Sequence, residues 1–128
     1  MKDFSVWHKV KTKIDNFDKR LFFQIREVWW CSMGFNVGFE QDGKGEKYSR
    51  PVVVFKKFNN EVFLALPLST KGKSTKFYFP IDLGDGLDRY AILSQIRLID
   101  AKRLIDKIGV VSEKDFAELK KAAIALYE

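Results

Sequence analysis

The segment RPVVVFKKFNNEVFLALPLST, residues 50–70, decides the fold because it holds two apolar runs separated by a turn signal. Val, Phe and Leu dominate both runs, and β-branched and aromatic residues favour strands. Asn59 and Asn60 lie between the runs, and asparagine suits a tight hairpin turn because it tolerates left-handed backbone. The pattern therefore predicts two antiparallel strands, over residues 51–58 and 62–68, joined by a hairpin.

Further strands are predicted on both sides of this hairpin from runs of β-forming residues. They cover residues 25–35, 77–79, 89–99 and 107–111. The stretch DLGDGLD, residues 82–88, reads as a turn between two of them. Five or six short strands with this spacing predict a small, strongly curved antiparallel sheet, for which a barrel is the expected closure.

A helix is predicted at the N-terminus. Apolar residues from Phe4 to Leu21 recur at alternating steps of three and four, which is the period of one buried helical face. The opposite face is mostly lysine, but acids among the lysines favour a helix packed on the protein over one lying on a membrane. Residues 1–25 are therefore predicted to be an amphipathic helical extension of a domain that spans residues 26–128.

A second helix is predicted at the C-terminus. Ser112 followed by Asp115 resembles a capping box, with Asp in place of the usual Glu. The buried stripe of this helix comprises Phe116, Leu119, Ala123 and Leu126. With helices at both ends of the strands, the fold class is predicted to be α+β.

Composition places limits on the kind of protein. The chain has 128 residues, 46% of them hydrophobic and 31% charged, which fits one soluble domain with its own core. No apolar run is long enough to cross a bilayer and the N-terminus lacks the pattern of a signal peptide, so we expect a cytoplasmic protein without membrane contact. One cysteine and one histidine exclude an internal disulfide and argue against a zinc site. The net charge of +6 favours an anionic partner, nucleic acid first.

Most catalytic signatures are missing from the sequence. It has no phosphate-binding Gly-rich loop, no dinucleotide fingerprint and no pair of histidines. A Cys31–His8 dyad is conceivable, but Cys31 lies in an aromatic strand and is better explained as a buried, structural residue.

Two stretches remain as candidates for function. Residues 40–49 are all polar, charged or glycine and end at Arg50-Pro51, where a strand begins. After the second strand of the hairpin, Ser69 and Thr70 are followed by spaced lysines, and hydroxyls with lysines suit phosphate oxygens. Taken alone, this second stretch is better explained as a solvated lysine loop.

Three segments together carry a resemblance. GFEQDGKGEKYSRPVVVF (residues 38–55), LPLST (66–70) and AILSQIRLIDAKRLIDKIGVVSEKDFAELKKA (91–122) resemble, in order and spacing, the PemK/MazF family of toxin endoribonucleases. The resemblance runs from about residue 26 to the C-terminus. It implies an SH3-like barrel with a C-terminal helix, to which the N-terminal helix is an addition.

The resemblance also implies a function and partners. Members of the family are homodimers that cut single-stranded RNA without a metal or other cofactor, leaving a 2′,3′-cyclic phosphate and a 5′-hydroxyl. A cognate antitoxin protein normally blocks the groove of the dimer. We therefore expect single-stranded RNA, an antitoxin and a second copy of the chain as partners, and no metal site.

The resemblance assigns roles to individual residues. Arg50 matches the arginine of the family's Arg-Pro motif, and Ser69 matches a catalytic threonine. Glu40 either acts as the base or orients Arg50, and the orienting role is preferred because a carboxylate beside an arginine is a weak base. The expected RNA contacts are Gln41, Lys44, Lys47, Thr70, Lys71, Lys73 and Gln95.

The sequence departs from the family pattern at three places, which leave alternatives open. Eight residues, Asp42 to Ser49, separate Glu-Gln from Arg-Pro, where relatives have only a few. Ser94 stands where some relatives carry an acid. The N-terminal helix either extends the core, enlarges a dimer interface or covers the RNA groove. A non-catalytic SH3-like module that binds nucleic acid or protein, or an interaction protein built around the antitoxin groove, are the alternative functions.

Overall fold

A computed structural model describes residues 21–33, 49–72 and 75–128 of the chain. Within these ranges lie seven strands, two 3₁₀ turns and one α-helix. The strands are β1 (Glu27–Ser32), β2 (Ser49–Lys57), β3 (Val62–Ser69), β4 (Tyr78–Ile81), β5 (Arg89–Ile92), β6 (Arg97–Asp100) and β7 (Leu104–Val110). The 3₁₀ turns are η1 (Leu93–Gln95) and η2 (Ala101–Arg103), and the helix is α1 (Glu113–Tyr127).

The predicted N-terminal helix falls mostly outside the described residues. Its last part, residues 21–24, is described and has no regular secondary structure. Phe23 packs its ring against Phe63 with centroids 4.8 Å apart, and its carbonyl accepts a hydrogen bond of 2.7 Å from Nζ of Lys57. This segment therefore joins the core as an irregular lead into β1, and the prediction of helix is wrong for residues 21–24.

The strands form an antiparallel sheet in the order β4-β5-β3-β2-β1-β7, and β6 also pairs with β3. The β2–β3 hairpin predicted from the sequence is confirmed at its centre. Its connection is longer than the tight turn predicted, because Oδ1 of Asn59 accepts hydrogen bonds from the amides of Glu61 and Val62 and shapes a loop over residues 58–61. No ladder joins β6 to β7 among the described strands, so the expected closure into a barrel is not confirmed.

The single strand predicted over residues 89–99 is wrong, because the structure divides it into β5 and β6 with η1 between them. Both strands pair with the same edge of β3. β6 follows its beginning, from Val62 to Ala65, and β5 follows its end at Leu68 and Ser69. The two pairings are out of register with each other, and η1 takes up the extra residues.

The predicted strand at 77–79 is shifted, because β4 starts at Tyr78 and runs through Pro80 to Ile81. Proline lacks the amide proton of a ladder residue, and it is tolerated here because β4 is an edge strand.

The sheet has a core on each of its two faces. One core contains Val52 and Val54 of β2 with Phe63 and Ala65 of β3. The other lies under the helix and contains Val53 and Leu66 together with Phe116, Leu119 and Ala123 of α1. Burial on both faces explains why β2 is continuously apolar and does not alternate with polar residues.

The C-terminal helix begins as the sequence predicts. Oγ of Ser112 accepts a hydrogen bond of 3.1 Å from the amide of Asp115, which satisfies one of the free amide protons of the first turn. Phe116, Leu119 and Ala123 are buried, so the predicted buried face of the helix is confirmed at these positions.

A carboxylate at the start of β1 ties that strand to β7. Glu27 accepts hydrogen bonds from Nε1 of Trp29 and the amide of Gln24, and it forms an ion pair of 2.8 Å with Lys107. Burial by itself would raise the pKa of Glu27, but the hydrogen bonds from Lys107, Gln24 and Trp29 outweigh it and lower the pKa overall. β1 is thereby fixed to β7 on one edge, while its other edge pairs with β2 and sets Cys31 opposite Arg50.

Candidate active site

Arg50 lies in β2 as a buried cation. Pairing between β1 and β2 sets it opposite Cys31, and its side chain shares a face of the sheet with Val52. Arg50 is only 3% exposed. Burying a charge costs free energy unless other groups compensate for it. A buried guanidinium at this position therefore indicates a specific role for Arg50.

The charge of Arg50 is a fixed one. Burial lowers the pKa of its guanidinium, and the nearby phenol of Tyr78 partly opposes that effect. The pKa of arginine starts so high that the side chain still carries its proton at ordinary pH. Arg50 can therefore donate hydrogen bonds and stabilise negative charge, but it is a poor general base.

Ser69, the last residue of β3, lies across the hairpin from Arg50. The β2–β3 ladder ends at the pair of Val52 with Pro67, although β2 begins three residues before Val52 and β3 ends two residues after Pro67. Continuing the same register sets Arg50 and Ser69 opposite each other on one face. Beyond that last pair, β2 stays in register with β1 and β3 with β5. Arg50 and Ser69 therefore lie at the neighbouring ends of β2 and β3, on the same face of the sheet.

The chain turns sharply after Ser69 and folds back on an aromatic ring. Oγ of Ser69 accepts a hydrogen bond of 3.1 Å from the amide of Lys71. Tyr90 pairs with Ser69 across the sheet, and a Cβ atom added at Gly72 would lie 2.5 Å from Cγ of Tyr90. Only glycine fits so close to this ring, so Gly72 holds the turn against the sheet beside Ser69.

The remaining predicted site residues lie in different places. Thr70 and Lys71 are exposed directly after β3, next to Ser69. Gln95 is half-buried in η1, and Ser94 beside it is exposed. Five predicted residues lie outside the described ranges, namely Glu40, Gln41, Lys44, Lys47 and Lys73.

Two further arginines, which the sequence reasoning missed, approach this site. Arg97 pairs opposite Ala65, so it shares a face with the core that includes Val52. Nη1 of Arg103 donates a hydrogen bond of 3.4 Å to the carbonyl oxygen of Ser32, near the end of β1. The signal for Arg97 was present in the Gln-Ile-Arg segment, but only its glutamine was assigned a role.

Cys31 is a structural residue, as the sequence predicts. Its side chain is fully buried, and burial raises the pKa of the thiol to about 12, although the positive charges of Arg103 and Arg97 oppose the rise. A thiol with so high a pKa is not a nucleophile at ordinary pH. His8, the other member of the conceivable dyad, lies outside the described residues.

The parts of the chain that the structure describes contain no group of three or more His, Cys, Asp or Glu residues arranged to hold a metal ion. In the same ranges, no helix is both long and apolar enough to cross a membrane.

Comparison with solved structures shows what this fold is similar to. The toxin MazF-mt6 of Mycobacterium tuberculosis matches with a TM-score of 0.62 at 14% identity, over 80% of this chain and 96% of that chain. MazF of Deinococcus radiodurans matches with a TM-score of 0.65 at 17% identity, over 86% and 98% of the two chains. An endoribonuclease from Mycobacterial species, solved in complex with its cognate antitoxin, matches with a TM-score of 0.62 at 15% identity, over 79% and 90%. At identities this low, the structural matches show a shared fold alone.

The amino-acid sequence gives the assignment to a family. No curated protein matches the sequence closely enough to count as a relative. A family model does match, over residues 24–127, which is most of the chain and includes every strand and the helix described above. The chain therefore belongs to the PemK-like, MazF-like toxins of type II toxin–antitoxin systems.

Proposed function

We propose that this protein is a toxin endoribonuclease that cuts single-stranded RNA without a metal ion, leaving a 2′,3′-cyclic phosphate and a 5′-hydroxyl. The observation that carries the proposal is the buried cation of Arg50, on the same face of the sheet as Ser69 at the neighbouring end of β3. Membership of the toxin family supports RNA as the substrate.

Cleavage of this kind sets three chemical demands. The 2′-hydroxyl loses its proton, the pentavalent phosphate gains negative charge, and the 5′-oxygen leaves with a proton. Arg50 meets the second demand, because a guanidinium offers several hydrogen-bond donors in a fixed plane that fits phosphate oxygens. Ser69 positions the 2′-hydroxyl or the scissile phosphate beside Arg50. Glu40 is proposed from the sequence to orient the guanidinium.

The neighbouring polar residues would hold the RNA strand. Thr70 and Lys71 are exposed directly beyond Ser69, and contacts from such residues to phosphates fix the position of a strand without reading its bases. The other residues proposed to contact RNA are Gln41, Lys44, Lys47, Lys73 and Gln95. Positive charge from Arg97 and Arg103 on the same side of the sheet supports an anionic ligand here.

Partners are proposed on the same basis. MazE and MazF of Deinococcus radiodurans form a complex, as does the mycobacterial endoribonuclease with its antitoxin. We infer that this protein likewise binds a cognate antitoxin, acts as a homodimer and resides in the cytoplasm. The order β7-β1-β2-β3-β6, with η2 between β6 and β7, supports the expectation of an SH3-like barrel over residues 26–128, extended by residues 1–25.

The proposal is tested by incubating the purified protein with a pool of mRNA in EDTA and sequencing the 5′-hydroxyl ends. Recurrent cuts at a defined sequence are expected in EDTA, and an Arg50→Ala preparation made in parallel excludes a contaminating nuclease. Cuts that need Mg²⁺ contradict metal-independent cleavage. Binding of RNA without any cut would instead support the non-catalytic module.

Gly72→Ala is expected to slow cleavage by about tenfold or more, because its Cβ would lie 2.5 Å from the ring of Tyr90 and push the turn after Ser69 off the sheet. Gly109→Ala is the matched control. There a Cβ would meet the side chain of Leu83 at 3.6 Å, an ordinary contact. Cleavage rates on one RNA and melting temperatures of both variants check this, and equal rates for the two variants would contradict a role of the turn in positioning Ser69.

A further inference from the structure

Tyr90 of β5 lies directly opposite Ser69 of β3, so the two side chains are on the same face of the sheet. Side chains in such pairs have their Cβ atoms only about 5 Å apart. On its other edge, β5 sets Tyr90 opposite Pro80 of β4. Tyr90 is thus held in the sheet by strands on both sides, and its half-buried side chain is the neighbour of Ser69 on that face.

The chain after Ser69 folds back over the ring of Tyr90. A Cβ atom added at Gly72 would lie 2.5 Å from Cγ and Cδ1 of Tyr90 and 2.7 Å from Cδ2. Nearly equal distances to three ring atoms place that position over the face of the ring and not at its edge, so the backbone of Gly72 rests on the ring. Among the described residues, Lys71 and Gly72 make no hydrogen bond to other backbone groups. Packing on Tyr90 is therefore the contact found here that ties the end of the turn to the sheet.

The turn, held in this place, fixes the hydroxyl of Ser69. Serine can place its hydroxyl in any of three staggered positions, because χ1 has three wells and no second branch at Cβ selects among them. The amide of Lys71 donates a hydrogen bond of 3.1 Å to Oγ of Ser69, and this bond selects one of the three. The position of that amide depends in turn on Gly72, the next residue, which rests on Tyr90.

Filling of the core does not account for the ring of Tyr90. The side chain shares a face with Ala65 and Val52, but it lies outside both of the buried clusters that form the cores of the sheet. Its ring therefore supports the turn more than it supports the core.

We propose that Tyr90 is a positioning residue for the cleavage, an inference that rests on the proposed endoribonuclease function. Its ring supports Gly72, and Gly72 holds the amide of Lys71 where it fixes the hydroxyl of Ser69 for the RNA phosphate. Tyr90 needs no contact with RNA for this role, because it acts through the rotamer of Ser69. Misplacing a reacting group by about 1 Å can cost about 10²-fold in rate, so a support of this kind has a measurable effect.

The test is a double-mutant cycle between Tyr90 and Ser69, measured as single-turnover cleavage of one RNA at saturating protein. Tyr90→Ala removes the ring and is expected to lower the rate about tenfold or more. The same change in the Ser69→Thr protein is expected to lower the rate by less than about threefold, because the methyl group of threonine restricts χ1 without help from the turn. Tyr90→Phe, which keeps the ring, is expected to recover most of the rate lost in Tyr90→Ala.

Tyr127→Ala is the matched control. It removes a tyrosine of α1 whose hydroxyl donates a hydrogen bond of 2.7 Å to the carbonyl oxygen of Leu93, and it is expected to leave the rate unchanged in the wild type and in the Ser69→Thr protein. If Tyr90→Ala fails to fold, Gly72→Ala tests the same support from the other side of the contact. It is expected to slow the wild type about tenfold or more and the Ser69→Thr protein much less.

Equal slowing of the wild type and the Ser69→Thr protein, by either substitution, would show a merely structural role and overturn the proposal. Unchanged rates in both proteins would overturn it while leaving the proposed function in place. A wild-type protein that cuts no RNA removes the proposed function and this inference together.

Discussion

Arg50→Ala is expected to lower the rate of RNA cleavage by about 10³-fold or more, the largest effect of any single substitution in this protein. The guanidinium is the buried cation of the site, and its charge acts most strongly where water is excluded. Single-turnover cleavage of one RNA in EDTA measures the effect, with a thermal melt to show that the variant is folded. Activity within tenfold of the wild type in a folded variant would refute the role of Arg50.

Two further variants serve as controls. The first tests whether positive charge alone is enough at position 50, and the second tests whether loss of another arginine has the same effect. Arg50→Lys keeps the positive charge but loses the planar set of donors, so its rate is expected to stay far below the wild type. Arg89→Ala removes an arginine whose side chain is 11% exposed and pairs with Asp85 at 2.7 Å. Arg89 lies next to Tyr90 on β5 and so points to the opposite face, and this variant is expected to cleave normally.

Ser69→Ala is expected to lower the cleavage rate by about 10²-fold, the second largest effect. The substitution removes the hydroxyl that is proposed to act with Arg50, and with it the acceptor that holds the amide of Lys71. Ser69→Thr keeps the oxygen and adds a methyl group that restricts χ1, so it is expected to cleave at least as fast as the wild type. The expected order of rates is therefore threonine, then serine, with alanine far behind.

Ser112→Ala provides the comparison for Ser69→Ala. It removes a serine hydroxyl that caps α1, which is expected to cost about 1 kcal/mol of stability without changing the rate of the folded protein. Single-turnover rates and thermal melts of the two alanine variants distinguish the roles. If Ser69→Ala cleaves as fast as Ser112→Ala, the hydroxyl of Ser69 takes no part in the reaction.

The parts of the fold that depend on nearby residues could be predicted from the sequence. The β2–β3 hairpin follows from two apolar runs around Asn59, and the start of α1 follows from Ser112 and Asp115. The division of residues 89–99 into two strands could not be predicted, because it arises from two separate pairings with β3. Nothing in Leu93, Ser94 or Gln95 alone requires a 3₁₀ turn.

The candidate site likewise has residues that could be predicted from the sequence and residues that could not. Arg50 and Ser69 were predicted from motifs, and the predicted hairpin sets them at the neighbouring ends of its two strands. Tyr90 could not be predicted, because it lies opposite Ser69 only through the pairing of β5 with β3. Arg103 was missed for a similar reason, since its hydrogen bond to Ser32 joins residues 71 positions apart.

The break in the β2–β3 ladder beyond Val52 and Pro67 divides the site between two parts of the sheet. Arg50 stays paired with β1, whereas Ser69 is paired with β5. The candidate site therefore spans two parts of the sheet, with the cation of Arg50 on one part and the hydroxyl of Ser69 on the other. A partner that shifts one of these parts relative to the other by a fraction of an ångström would change the gap into which the phosphate of the proposed substrate must fit. Such a partner would lower the proposed cleavage activity without contacting Arg50 or Ser69.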